Sequence, residues 1–155
     1  MFWELGVRYE MAEWQWSAEV VRVSAAPLTV ENTAYATLGH RFGDWTPYIG
    51  YGRARNALAV LPLPAWAAAL TPVIGPVGAA QAQGLGSVVV TSLNNARVQQ
   101  SSWSLGVRWD FHPQAALKLQ WDRVRVQPSG SSLWTGADGQ AGNANVATAV
   151  VDFIF

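Results

Sequence analysis

The few charged residues of this chain recur at every second position within short segments. Charged residues make up 13% of its 155 residues, about half the usual share, whereas aromatic residues reach 12%. Successive side chains of a β-strand point to opposite faces of the sheet, so residues spaced by two share a face. Such a face can pair its charges across strands or line a polar channel. The members of the predicted charged face are Glu4, Arg8, Glu10, Glu19, Arg41, Arg108, Asp110, Lys118, Asp122 and Asp152.

Little else in the sequence points to chemistry. Neither His40 nor His112 has a Ser and a carboxylate at a spacing typical of a catalytic triad. The chain has no Cys and no His-x-x-x-His pair to hold a metal ion. Its formal net charge is zero, which argues against nucleic-acid binding. We therefore predict no enzyme activity, no catalytic residues, no metal and no cofactor.

Alternation of apolar and polar residues predicts seven β-strands. The clearest segment is 101–111, and the last one ends on an aromatic residue. The face assignment of the fourth segment is open, because the side that carries Ile49 and Tyr51 also carries Arg53 and Arg55. Either a β-bulge or the end of an apolar zone would account for these arginines. The predicted strands are 2–10, 13–22, 33–42, 46–55, 101–111, 115–126 and 145–155.

The connections between these segments alternate between short and long. Tight turns at one end and longer loops at the other are typical of outer-membrane barrels. Each segment has about ten residues, which is the length that a tilted strand needs to cross a bilayer. The pattern therefore predicts an all-β fold, namely an antiparallel transmembrane β-barrel that forms a single domain over 1–155.

Aromatic residues cluster at the ends of the predicted strands. A soluble core would favour positions in the middle of strands, whereas membrane barrels carry aromatic belts at both interfaces. Trp3, Tyr35, Tyr51 and Trp103 fall toward the ends with long loops. The belt beside the short turns is predicted to contain Trp14, Trp16, Trp45, Trp109, Phe111, Phe153 and Phe155, with Tyr9 and Phe42.

The segment 56–99 is a long apolar insertion. The run 57–80 is long enough for a membrane-spanning helix, but four prolines and two glycines are predicted to break it. Pro64 could begin a short helix over 65–70, and Ser87 to Thr91 has strand propensity. Apolar content of this size usually marks a contact. We expect part of the insertion to pack inside the lumen or on a neighbouring subunit, the alternative being a mobile external loop.

The number of strands bears on the size of the barrel. Bacterial single-chain barrels have an even number of strands, with both ends in the periplasm. Seven strands counted back from Phe155 would start the chain outside, which favours the C-terminal part of a larger barrel of about 16 strands. Alternatively, 87–91 forms an eighth strand and the chain closes alone.

Three stretches carry a family resemblance: YATLGHRFGDWTPYIGYGR, SSWSLGVRWDFHPQAALKLQWDRVRV and NVATAVVDFIF. Together they resemble the C-terminal third of proteobacterial outer-membrane porins, and the resemblance covers most of the chain outside 56–99. It implies a water-filled and usually trimeric barrel in the bacterial outer membrane that passes small hydrophilic solutes or ions by passive diffusion. Its implied partners are outer-membrane lipid and the barrel assembly machinery, which would read the C-terminal strand.

On this reading, the pore-lining residues are Arg8, Glu19, Arg41, Arg108, Asp110, Lys118, Asp122 and Asp152. The signs of the charges are balanced, so the sequence predicts no ion selectivity, and Arg41, Arg108 and Lys118 are candidates for a basic lining. The alternative function is a small structural or ligand-binding β-barrel without channel activity. A lipocalin-type barrel would turn its apolar face inward, and six tryptophans would then crowd one narrow interior.

Overall fold

The chain folds into one antiparallel sheet whose seven strands are neighbours in sequence order. The computed structural model describes residues 1–25, 29–131 and 141–154. One helix, α1, interrupts the meander between the fourth and fifth strands. The all-β prediction is thereby confirmed. The elements are β1 (Phe2–Met11), β2 (Trp14–Ala25), β3 (Thr29–His40), β4 (Trp45–Asn56), α1 (Ala67–Asn95), β5 (Val98–His112), β6 (Ala115–Ser131) and β7 (Gly142–Phe153).

The strands extend further than predicted at the ends away from the short turns. β5 begins at Val98, β6 reaches Ser131 and β7 begins at Gly142. Alternation fades there because both faces become polar, so the sequence pattern ends before the backbone pairing does. At the short-turn end, His112 was predicted to lie in the turn between the fifth and sixth strands, and this prediction is wrong. It belongs to β5 and pairs with Ala115, which leaves only Pro113 and Gln114 in the turn.

The sheet is a single layer with almost no core. Among the described residues, the buried apolar side chains are few and small or medium in size. β1 pairs only with β2, and β7 pairs only with β6, so the described sheet is open at both edges. The buried apolar residues are Val30, Ala79, Val98, Ala116, Val124 and Val126. A layer of this kind needs something other than its own chain to cover its apolar side chains.

The helix α1 corrects the prediction for the insertion. It consists of two helical pieces joined by a kink at Gly75, so the predicted break is confirmed at that point, whereas Pro72 lies inside the first piece. The first piece, 67–74, overlaps the short helix expected over 65–70, and 87–91 is helical rather than an eighth strand. The only departure from helical geometry is Gly75, whose φ of 76° turns the chain. Pro76 follows this break, at a helix start, where the missing N–H costs no hydrogen bond. By length and composition α1 could cross a membrane, with 6% of its apolar window buried.

The chain between β4 and α1 folds back along the helix. Leu61 exchanges two backbone hydrogen bonds of 2.9 Å with the Asn94 side chain. The backbone N–H of Ala67 donates to Gln83 Oε1 at 2.8 Å. Buried Arg97 donates to the carbonyl oxygens of Leu58 and Ala59. These contacts fix the returning segment to α1, which lies against β6 and leaves most of its apolar side chains exposed.

Candidate functional site

The polar face of the sheet is its concave face. One cavity of about 540 Å³ is lined by Gly6 of β1 and by Lys118 of β6 together with residues from the strands between them. In a flat sheet, β1 and β6 would lie about 24 Å apart. The sheet must therefore curl to bring both strands to one cavity. From β1 to β6, the residues in register with those of the cavity share this concave surface, and the pairing is interrupted only by register shifts near the two ends of the β5–β6 ladder.

Seven of the eight predicted pore-lining residues lie on strands and share the concave face: Arg8, Glu19, Arg108, Asp110, Lys118, Asp122 and Asp152. The eighth, Arg41, lies just beyond β3. It lines a second cavity of about 650 Å³ together with Arg8, Arg108 and Asp110, beside the short turns. The structure thus gathers the whole predicted set on one side of the sheet.

Three ion pairs lie on this face within the described residues. Arg8 Nε donates to Glu10 at 2.9 Å, and Arg108 Nε donates to Asp110 at 2.8 Å. The second guanidinium also lies 3.7 Å from Asp152, which links β5 to β7. All of these groups are partly or fully exposed to solvent. Exposed pairs contribute about 0–1 kcal/mol each, so they organise the surface more than they stabilise it.

A hydrogen-bonded network at the middle of the concave face was missed by sequence reasoning. The Tyr48 hydroxyl donates to Gln120 Oε1 at 2.8 Å, and Gln120 Nε2 donates to both Asp122 oxygens at 2.9 Å. Ser104 completes the network by donating to Asp122. The Lys118 ammonium lies 5.1 Å from the centre of the Tyr48 ring. The sequence could have shown this network only through the alternation of β4, which puts Tyr48 on the face opposite to Ile49 and Tyr51. Arg53 and Arg55 left the faces of that strand unassigned.

A glycine allows the tyrosine to lie along the wall. Tyr48, Gly106 and Gln120 stand side by side in one row across β4, β5 and β6. A Cβ atom at Gly106 would lie 2.2 Å from the ring and hydroxyl of Tyr48. The missing side chain is therefore what lets the ring cross β5 and reach β6.

Replacing Gly106 with Ala is expected to destabilise the fold by about 1–3 kcal/mol, because the ring must move and lose its bond to Gln120. The measurement is the denaturant midpoint of the folded chain. In a Tyr48→Ser background the same replacement should cost little, since nothing then occupies the space. Gly142→Ala is the matched control, because a Cβ there meets nothing within 4 Å. Equal losses in both backgrounds would contradict the explanation.

The concave face carries an excess of acidic residues. On the described strands it holds seven carboxylates and three cations, which are Arg8, Arg108 and Lys118. This arrangement differs from the expected balance of signs and from a basic lining. The formal neutrality of the chain hides it, because several arginines face the other way. The carboxylates are Glu4, Glu10, Glu19, Glu31, Asp110, Asp122 and Asp152.

The convex face carries an aromatic belt along the short-turn edge. Tyr9 contacts Trp16 with ring centres 5.7 Å apart, and the rings of Trp45 and Trp109 stack at 5.0 Å. His40 packs between the rings of Trp14 and Phe42 in the same belt. Phe155 lies outside the described residues. The other members on this face are Trp14, Phe42, Phe111 and Phe153.

A second aromatic row crosses the convex face nearer the long loops. Tyr51 and Trp103 pair across β4 and β5 with ring centres 4.9 Å apart. Trp103 and Trp109 are six residues apart in β5, which separates the two rows by about 20 Å along the strand. Tyr35 was expected here, but it lies on the concave face, where its hydroxyl donates to Glu19 at 3.0 Å.

Arg53 and Arg55 lie on the convex face of β4, at the end of the apolar zone. The pairing of β4 with β5 runs without a shift from Trp45 to Arg55, so no bulge re-aims Arg53 or Arg55. Both arginines share the convex face with Ile49 and Tyr51 and lie beyond the Tyr51–Trp103 row. The apolar zone therefore ends at that row, and the arginines mark its border.

In the part of the chain that the structure describes, no group of three His, Cys, Asp or Glu residues is placed to hold a metal ion. Comparison with known proteins assigns no family: no protein-family model matches the chain, and no curated protein matches it. The function is therefore argued from the sheet itself.

Proposed function

We propose that this chain forms part of the wall of a water-filled outer-membrane channel that passes small hydrophilic solutes or ions by passive diffusion. The observation that carries the proposal is the inverted arrangement of the two faces. The concave face is polar and charged, and the convex face is an apolar band between two aromatic rows. A bilayer covers such a band, while water fills the concave side.

The exposed convex face makes a soluble sheet a costly alternative. Large apolar side chains such as Leu5, Leu105 and Leu119 are 68%, 52% and 46% exposed. Full burial of such a side chain is worth roughly 1.5–3 kcal/mol, and about half of that remains to be gained at each of these positions. A lipocalin-type binding module needs the opposite arrangement, with an apolar concave side. The inverted faces therefore favour the membrane channel over a soluble ligand-binding barrel.

The open edges of the sheet indicate how the channel would be completed. Unpaired backbone groups at the edges of β1 and β7 cannot be satisfied by lipid, so further strands must close the barrel. We propose a barrel of about 16 strands, within the size range of water-filled porins. Homotrimer formation and recognition of the C-terminal strand by the assembly machinery belong to the same proposal.

The proposal is tested by conductance. The complete barrel, made of this chain and the strands that close it, is refolded from urea into lipid vesicles and fused to a planar bilayer, where it should give discrete current steps in KCl. The boiled and unfolded chain is the control. Efficient insertion without current steps would contradict the channel and would support a structural barrel.

The insertion provides a further prediction about the same channel. Residues 58–96 can be replaced by a short Gly-Ser link, because β4 and β5 pair up to Arg55 and Gln99 without help from α1. If the insertion constricts the lumen, the deletion raises the single-channel conductance. If it covers a subunit contact, the deletion instead lowers the thermal stability of the oligomer.

A second variant distinguishes a constriction of the lumen from a subunit contact. Leu85 and Val88 are exposed on α1, and replacing both with Gln keeps the volume of the helix while removing its apolar surface. The double variant should weaken a subunit contact but leave a steric constriction in place. Unchanged conductance and unchanged oligomer stability after the deletion would show that the insertion is only an external loop.

A further inference from the structure

The charges of the sheet are sorted between its two faces. Within the described strands, every carboxylate lies on the concave face, and the convex face carries arginines alone. All of these arginines lie at the long-loop end, at or beyond the level of the Tyr51–Trp103 row. They are Arg22, Arg53, Arg55, Arg123 and Arg125. A row of positive charges at the edge of an otherwise apolar surface suits an anionic partner.

Two of these arginines line a cavity on the convex face. Arg123 and Arg125 of β6 enclose about 430 Å³ together with Tyr51, Trp103 and Asn143. Arg53 flanks the site, because it and Arg125 both pair with Ser101 from opposite sides. The ion pairs among the described residues all lie on the other face, so no carboxylate of the described strands neutralises the two guanidinium groups there.

An apolar groove lies next to this cavity, toward the middle of the band. It has a volume of about 560 Å³ and is lined by Leu105, Leu119, Trp121 and Ala149 on β5, β6 and β7. Trp121 is two residues from Arg123 on the same face of β6, so the groove and the basic cavity are adjacent steps along one strand. A positively charged cavity next to an apolar groove fits an amphiphile that has an anionic headgroup and acyl chains.

We infer that the convex surface of β5, β6 and β7 binds a lipid with a phosphorylated headgroup, whose phosphate lies between Arg123 and Arg125 and whose acyl chain lies in the groove. This inference rests on the proposed function, because the convex face meets lipid only in a membrane barrel. Guanidinium groups suit phosphate because they donate two parallel hydrogen bonds to its oxygens.

The groove argues for a lipid rather than a free phosphate. Exposed arginines in water gain little from a small anion, since both partners are well solvated. An acyl chain adjacent to the headgroup adds apolar contact and holds the phosphate at the site. Trp103 and Tyr51 at the border are also the side chains expected at the level of lipid headgroups.

The experiment uses the complete barrel that contains this chain, folded into phosphatidylcholine vesicles with a small fraction of lipid brominated on its acyl chains. Bromine quenches nearby tryptophan, so quenching by brominated phosphatidylcholine reports insertion. Brominated phosphatidic acid at the same fraction should quench more strongly. The expected preference is about fivefold for each arginine engaged. Soluble inorganic phosphate in excess should not abolish the preference; if it does, the site takes a free anion and the inference is wrong.

Paired variants locate the site. Arg123→Gln with Arg125→Gln should remove the preference, whereas Arg22→Gln with Arg55→Gln removes the same charge from the same face and should leave most of it. Equal losses in both pairs would indicate a diffuse surface charge and overturn the inference. No preference in the unaltered chain would also overturn it. Absence of quenching by phosphatidylcholine would instead mean that the complete barrel does not insert, which rejects the proposed function.

Discussion

A channel built from this wall is expected to pass K⁺ in preference to Cl⁻. The described strands put seven carboxylates and three cations on the concave face. Low-dielectric walls focus the field of such an excess and raise the local concentration of the opposite ion. Under a tenfold KCl gradient, the reversal potential should carry the sign of cation permeation, below the limit of about 59 mV for perfect selectivity.

Isosteric variants test the origin of this preference. Glu4→Gln, Glu19→Gln and Asp152→Asn together remove three negative charges without changing side-chain size. They should move the reversal potential most of the way to zero, and higher salt should weaken the unaltered channel's preference by screening. Arg22→Gln with Arg55→Gln changes charge only on the convex face and is the control. An anion preference in the unaltered channel would contradict the assignment of the concave face to the lumen.

Neighbouring residues of β7 should respond in opposite ways to the same substitution. Ala149 pairs with Leu119 on the convex face, and Thr148 pairs with Gln120 on the concave face. Ala149→Arg puts a charge into the hydrocarbon layer and is expected to cost about 2–4 kcal/mol near the bilayer midplane. Thr148→Arg puts the same charge into the water-filled lumen and should cost little.

The two variants form a matched pair, because the residues are adjacent in one strand and both are exposed in the described sheet. The measurement is the urea dependence of folding into vesicles, followed by tryptophan fluorescence and by gel mobility without boiling. Equal tolerance of both variants would mean that lipid does not cover the convex face. Greater damage from Thr148→Arg would mean that the faces are assigned the wrong way round.

The apolar alternation made most of the sheet predictable. Seven strands and the membership of the charged face follow from a period of two, which is a local property of the chain. The alternation of short and long connections was wrong at its second step, because β2 ends at Ala25 and β3 already begins at Thr29. The segment 101–111 shows this most clearly, since every residue of its predicted apolar face lies on the convex face. The predicted strand ends were wrong where both faces become polar, because backbone pairing continues there without any alternation of apolar and polar residues.

The insertion shows where local signals were misleading. Four prolines suggested short fragments, and the valines of 87–91 suggested a strand. The structure instead places one break at Gly75, puts Pro76 at a helix start and carries the valines within α1. Strand propensity is a weak preference about packing on a sheet, and flanking helix-forming residues can override it.

By itself, the sequence determined that this chain forms strands with one polar and one apolar face, because side-chain alternation needs no distant partner. Only the tertiary structure decided which face is concave, since curvature depends on all the strands together. It also decided that Tyr48 crosses Gly106 to reach Gln120, and that Arg123 and Arg125 border an apolar groove. These arrangements depend on register between strands that are far apart in the chain, and no local pattern encodes that register.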